Sequence, residues 1–266
     1  MAVKTVAQDT LEYLAAEGIA VPHAFTTRFG GVSEGQFSSL NLAMHRGDSS
    51  ENVQKNYAIL AAALGFDTGA LVLTRQTHSD IVRTVTREDA RGLDHHAYPQ
   101  CDALITRDPG TALGIFTADC TPILFHDPVT GAVGAAHAGW RGTVADIAGK
   151  TVRTMVQAFG CCPEDICAAI GPNIGICCFE TDKDVPDALD KVFGSRVWEH
   201  IRPQQGKYYV NLKEINALAL RGAGVKNIEI STACTMCEHA RFWSHRYTRG
   251  DRGSQGAIIV CKEGNV

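Results

Sequence analysis

"GIFTADCTPILFHDPVTGAVGAAHAGWRG", residues 114–142, holds three short apolar runs separated by turn residues. Extended by a few residues, the runs are "ALGIFTADC" (112–120), "PILFHD" (122–127) and "AVGAAHAG" (132–139). Each is too short for a helix and is bounded by Asp, Pro or Gly, so each reads as a strand. Immediately downstream, Val144, Ile147, Val152, Met155, Val156 and Phe159 recur at helical spacing, with Gly160 as the stop. Strands followed directly by an amphipathic helix indicate α/β layers rather than a bundle or a β-sandwich.

The same reading extends in both directions. "ALVLTRQTH" (70–78) reads as a strand ending on His78, and "AFTTRFGGVSEGQFSSLNLAMHRGD" (24–48) as a strand running into a long Gly/Ser loop. Asp48, with Glu51 three residues on, marks a helix start; Val53, Tyr57, Leu60 and Leu64 continue it to Gly65. "ICAAIG", "KYYVNL", "NIEIS" and "GAIIVC" read as further strands, with helices near 184–193 and 212–221. No repeat, low-complexity tract or Pro/Ser-rich linker divides the chain, so residues 1–266 are expected to form one domain.

Composition narrows the classes of function. The net charge of −4 gives no global attraction to nucleic acid or to an anionic membrane, so any phosphate must be met by a local Arg cluster. No apolar run approaches the ~20 residues that span a bilayer, and the first residues lack the apolar core of a secretion signal. The expected location is the cytoplasm. Ten cysteines in such a chain favour buried thiols, a metal or a reactive cysteine over a disulfide framework. Cys161-Cys162 and Cys177-Cys178 read as free thiols. Cys234-x-x-Cys237, near Cys261, reads as half of a zinc site for which no second pair has suitable spacing.

His78, Cys120 and His137 each end a predicted strand, which is where sites of α/β sheets are built. Two imidazoles and a thiolate suit Zn²⁺ with an open fourth position, the arrangement of catalytic rather than structural zinc. Spacing alone leaves two alternatives open: a metal-free Cys/His nucleophile pair, and ordinary packed residues.

Six segments, in order, bear a resemblance that covers nearly the whole chain: "TTRFGGVSEGQFSSLNLAMHRGD", "QTHSDIV", "CDALITRDPGTALGIFTADCTPILFHDP", "GAVGAAHAGWRGTVADI", "AAIGPNIGICCFE" and "FWSHRYTRGD". The chain resembles the YfiH family, also called the laccase-domain or multicopper polyphenol oxidase family, which includes the FAMIN proteins. That resemblance implies a layered α/β/β/α fold with mixed β-sheets and metal ligands at His78, Cys120 and His137. It also implies zinc, and purine nucleoside phosphorylase activity accompanied by adenosine deaminase activity. The family's usual Tyr-Arg-Arg run is altered here, with His245 in place of the Tyr and Tyr247 in place of the second Arg. The roles of those two positions are open; His245 is either an added ligand or acid, or a solvated loop residue.

The oxidase in the family's older name fits less well. A multicopper cluster needs many imidazoles, commonly in His-x-His pairs, and the ten histidines here include none. Cu²⁺ would still compete for one His₂Cys site. For deamination a carboxylate must move protons, and Asp119 beside Cys120 is the nearest in sequence, unless it only orients a ligand. For phosphorolysis, Arg28 and Arg141 lie beside glycines whose amides could join them around phosphate. Arg46 and Arg246 are further candidates, while Asn41 and Ser33 offer hydrogen bonds to ribose or base or serve as turn caps. The expected enzyme acts on adenosine, inosine or S-methyl-5'-thioadenosine with phosphate, as a monomer or homodimer. The alternatives are a copper-dependent polyphenol oxidase and a non-catalytic binding partner with a vestigial site.

Overall fold

The computed structural model describes residues 3–262. In chain order the strands are β1 Val3–Gln8, β2 Leu11–Ala16, β3 His23–Thr26, β4 Leu71–Leu73, β5 Val82–Thr84, β6 Ala103–Thr106, β7 Ala112–Thr117, β8 Thr121–His126, β9 Val133–Ala138, β10 Cys167–Ile170, β11 Glu180–Thr181, β12 Ile201–Gln204, β13 Lys207–Val210, β14 Asn227–Ile230 and β15 Gln255–Val260. The helices are α1 Ser50–Leu64, α2 Trp140–Val144, α3 Ile147–Phe159, α4 Asp184–Phe193, α5 Leu212–Gly222 and α6 His245–Thr248.

Two six-stranded sheets carry the fold, ordered β1-β2-β3-β15-β7-β4 and β14-β10-β8-β9-β6-β5. Both are mixed: β4 runs parallel to β7, β5 to β6 and β10 to β14, and the remaining pairs are antiparallel. Strand alternation explains how they stack. Leu104, Leu124, Val133, Ala135 and Ala169 pack into the core shared with the first sheet. Their neighbours Ala103, Ile105, Ile123, Phe125, Ala136, Ala168 and Ile170 point the other way, onto α3 and α5. The second sheet is thus buried on both faces, and its strands accordingly read as continuous apolar runs rather than alternating ones. On the far side of the first sheet, Val53, Tyr57, Leu60 and Leu64 of α1 join its core. The result is the expected layered α/β/β/α arrangement, with a small three-stranded sheet, β11-β13-β12, beside α4.

Several local expectations are corrected. The helix expected over 143–159 is two: α2 ends at Val144, and Asp146, at φ 57°, starts α3 by accepting a hydrogen bond from the Gly149 amide. Helix α1 begins after Ser49 rather than Asp48, whose carboxylate instead accepts from Ser33 Oγ and Asn41 Nδ2. The strand over 70–78 stops at Leu73, five residues short of His78. It stops because Gln76 takes over its edge by side chain: Nε2 donates to the Phe116 carbonyl at 2.8 Å, and Oε1 accepts from the Phe116 amide at 2.7 Å. The hairpin β1–β2 was not apparent in the sequence. No helix among the described residues is long and apolar enough to cross a membrane.

Candidate metal centre and its pocket

Two of the three candidate ligands lie where the chain crosses from one sheet to the other. The segment from β4 to β5 carries His78, and the short turn from β7 to β8 carries Cys120. His137 is the penultimate residue of β9, inside the strand rather than at its end. Both crossings are tight: His78 and the residue before Cys120, Asp119, adopt positive φ (59° and 83°). Non-glycine residues held there store strain, which concentrates at functional sites.

The ligand atoms of His78, Cys120 and His137 lie within 4.8 Å of one another, with Cys120 Sγ 3.7 Å from His78 Nε2. Gly139 is required by this approach, since a Cβ there would stand 2.6 Å from His78 Cδ2 and 3.2 Å from Cys120 Sγ. Asp102, fully buried at the start of β6, organises the group. Its carboxylate accepts from the amides of Thr77, His78 and Ser79 (3.1, 3.1 and 2.7 Å) and from Ser79 Oγ at 2.7 Å. It also accepts from His137 Nδ1 at 2.8 Å. That bond fixes the proton on Nδ1 and leaves Nε2 free for a metal, the carboxylate–histidine pairing that supports metal ligands.

Electrostatics agree with the geometry. Burial opposes ionisation of Cys120, yet His137 and His78 together hold its thiol below the usual range. Burial likewise opposes the His137 cation, and Cys120 with Asp102 raises its pKa above the ordinary value. Burial would raise the Asp102 pKa, but hydrogen bonds from His137 and Ser79 bring it down to about 2. The donor set is a thiolate, two imidazoles and a carboxylate brace, which fits a borderline-soft divalent ion such as zinc with a fourth position open.

These three side chains share one pocket with Arg46, Gln76, His95, Phe116, Arg252 and Ser254. Arg252 sits beside Arg46, and burial together with that neighbour pushes its pKa down to about 10. Its Nη1 donates to the Gly253 carbonyl and Ser254 Oγ, while its buried Nε has no protein partner. His95 packs on Phe116 (ring centroids 5.7 Å apart) and also leaves a buried nitrogen, Nδ1, unpartnered. Burial and the neighbouring His96 hold its pKa below the ordinary value. Buried polar atoms without partners inside a pocket mark where a ligand completes the hydrogen bonding.

The other expected site residues fare differently. Arg46 lines the pocket. Arg28 does not: it donates to the carbonyls of Ser38 and His239 and lies 3.9 Å over the Trp243 ring. Arg141 stacks over Trp140 at 4.3 Å, outside the lining. Arg246 donates its guanidinium to the Glu180 carbonyl and its amide to Asp119 Oδ2. Asp119 also accepts from Thr235 Oγ1 at 2.6 Å, so both its oxygens brace the turn before Cys120. Asn41 and Ser33 lie in a buried network with Asp48, Asn56, Ala43 and Ser254 that sets the Gly/Ser loop. His245 opens α6 and is not one of the clustered ligands. Asp102, Gln76, His95, Phe116 and Arg252 were not singled out from the sequence; "CDALIT" and "TRGDR" carry the first and last, but a buried acid or a second arginine there has no distinctive spacing.

Comparison with known proteins matches residues 22–262 to the model for multi-copper polyphenol oxidoreductase laccase. The chain is 41% identical over 246 residues to purine nucleoside phosphorylase YlmD of Geobacillus stearothermophilus, covering 90% of this chain and 89% of that one. It is 38% identical over 239 residues to adenosine deaminase RL5 of an unknown prokaryotic organism, covering 87% and 90%. The crystal structure of YlmD from Geobacillus stearothermophilus superposes with a TM-score of 0.91 at 38% identity, covering 98% of this chain and 99% of that one. A sheet-to-sheet seam carrying two imidazoles and a thiolate, over a fold shared along nearly its whole length with those proteins, places this chain in the laccase-domain family of YfiH- and YlmD-like proteins.

Proposed function

We propose that the protein is a zinc-dependent purine nucleoside phosphorylase acting on adenosine, inosine and S-methyl-5'-thioadenosine, with adenosine deamination as a second reaction. One observation carries the reading: a His₂Cys metal set and a pair of arginines, exposed Arg46 and half-buried Arg252, line the same pocket. An oxidase has no need of an anion-binding pair, whereas phosphorolysis needs a phosphate held against the sugar. The named activities of the relatives, purine nucleoside phosphorylase and adenosine deaminase, support the same assignment.

His78, Cys120 and His137 would hold the ion, which when bound supplies Lewis-acid activation of an oxygen placed in the pocket. Arg252 and Arg46 grip phosphate; the desolvated Arg252 Nε gains a charge-assisted hydrogen bond on binding. A phosphate oxygen then bonds to the ribose anomeric carbon as the bond to the purine nitrogen breaks. The departing purine takes a proton, and His95 is placed to deliver it from the aromatic wall formed with Phe116. No carboxylate lines the pocket among the described residues, so His95 rather than Asp119 is assigned the proton transfer. Asp119 positions Cys120. The whole chain acts as one domain in a reducing cytoplasm, where its ten cysteines form no disulfides.

The test is incubation of the purified, metal-quantified protein with adenosine, with and without phosphate. Phosphate-dependent release of adenine is expected, with inosine forming in its absence. Oxidation of a phenol by zinc-loaded protein with no nucleoside turnover would refute the assignment.

A further inference from the structure

Away from the pocket, the structure brings together two cysteine pairs that lie 56 residues or more apart in sequence. Cys177 and Cys178 follow β10, and Cys234 and Cys237 follow β14. Their four sulfur atoms lie within 4.8 Å of one another, and Cys237 Sγ is 3.4 Å from both Cys177 Sγ and Cys178 Sγ. None is disulfide-bonded. A disulfide would draw one pair to about 2.05 Å and leave two thiols over, and Cys237 is equidistant from two candidates. Four thiolates around one Zn²⁺ at about 2.3 Å place their sulfurs about 3.8 Å apart, close to the spacing seen.

Two further features suit an anionic sulfur cluster. The Gly175 amide donates to Cys234 Sγ at 3.2 Å, and any side chain at 175 would press on Cys177 and Cys234, since a Cβ would meet their sulfurs at 3.2 and 3.4 Å. Lys213, buried in α5, donates only to the carbonyls of Ser231 (2.7 Å) and Ala233 (2.6 Å), in the segment that leads into Cys234. No carboxylate lies within ion-pair distance of this ammonium among the described residues, with Glu238 and Glu214 acting on it only from farther off, and a buried cation without a contact partner is costly.

We propose that Cys177, Cys178, Cys234 and Cys237 hold a structural Zn²⁺ in a closed four-sulfur site, separate from the pocket. Binding converts four thiols to thiolates: four S–H bonds break, four Zn–S bonds form and four protons leave to solvent, with no change of oxidation state. The ion carries a net −2 with its ligands, and Lys213 offsets part of that charge. The site also serves the pocket. It staples segment 173–178 to segment 234–238, where the Thr235 amide donates to the Asn173 carbonyl at 3.0 Å. Both segments hold Asp119, through Thr235 Oγ1 and through the Ile174 amide to the Asp119 carbonyl at 3.0 Å.

The experiment uses full-length protein purified anaerobically with reductant and without chelator, in wild-type and Cys120→Ala forms. Metal content by mass spectrometry and zinc X-ray absorption are measured on each. The Cys120→Ala protein is expected to keep one zinc per chain with an all-sulfur first shell. Cys177→Ser with Cys237→Ser, both exposed positions, is expected to lose that zinc and to melt at lower temperature. Absence of tightly held zinc from Cys120→Ala protein with four freely titrating thiols, a disulfide among the four, or a shell containing nitrogen would each overturn the proposal. Because the readout is metal content, failure of nucleoside turnover leaves it unaffected.

Discussion

The two sulfur-bearing clusters of this protein differ in how they are held. At the pocket, one thiol and two imidazoles are positioned by a buried carboxylate, Asp102, and the fourth side faces a cavity lined by unpartnered polar atoms. At the second cluster, four sulfurs close on one another; the Gly175 amide donates to Cys234 Sγ, and the one carboxylate there, Glu238, accepts from the Cys234 backbone amide rather than from a ligand side chain. An open donor set with an outer brace suits turnover, and a closed one suits stability. Between them stands Asp119, bonded to Thr235 from the closed cluster and adjacent to Cys120 of the open one. The contrast can be broken from either side.

The largest effect is expected from Cys120→Ala, which removes a ligand outright. Changes merely to the surroundings of a metal ligand cost about 10–100-fold, so turnover should fall by at least about a hundredfold. Steady-state kinetics with adenosine checks this, and retention of full activity would refute the ligand assignment. Asp102→Asn keeps the shape but loses the charge behind His137 and turns one of the two oxygens that accept from the 77–79 amides and His137 into a donor. Metal affinity at the pocket should drop about 10–100-fold, read by competition with a chelator, while the four-sulfur cluster is untouched. Thr235→Val tests the link: it leaves a buried carboxylate oxygen short of a partner, at a cost of about 1–3 kcal/mol in urea unfolding. If the account holds, that variant also weakens metal binding at the pocket; a purely local role would spare it.

The smallest effect lies in neither cluster and serves as a control. Burial holds the His23 pKa below 6.5, despite its hydrogen bond to the Val21 carbonyl. Its neutral Nε2 accepts from the Ala16 amide at 2.8 Å, and protonation breaks that bond. With the folded-state pKa depressed, this contribution to stability is complete above pH 6.5 and is lost as pH falls through the folded value. The urea midpoint should fall below pH 6.5, and His23→Gln should flatten that part of the profile.

Much of the pocket was legible in the sequence, for reasons that also set the limit. His78 and Cys120 come after β4 and β7 of the first sheet and His137 lies in β9 of the second, and all three strands read as apolar runs because they are buried on both faces. The strand-end rule located them although His78 lies past its strand and His137 within its own. What failed to show was anything defined only by tertiary pairing. Asp102 reaches back to the 77–79 amides and forward 35 residues to His137, and neither interval has a period to detect. That Cys177 and Cys178 meet Cys234 and Cys237 is equally hidden, because 56 residues or more separate the two pairs in the chain. Arg28 and Asn41 belong to the loop's own architecture: a motif residue beside glycine is as apt to hold the turn as the ligand. The β1–β2 hairpin was missed because β1 is partly exposed on both faces, so its alternation is weak.

The central claim is that the metal set and the arginine pair divide the work of one pocket. Arg252→Met keeps the bulk and removes the charge, so its product ratio from adenosine is the most direct test. Phosphorolysis to adenine should fall about a hundredfold or more, in line with loss of a preorganised charge-stabilising donor, while deamination to inosine stays within a few-fold. Equal loss of both products, or an unchanged adenine yield with undiminished affinity for phosphate, would contradict it.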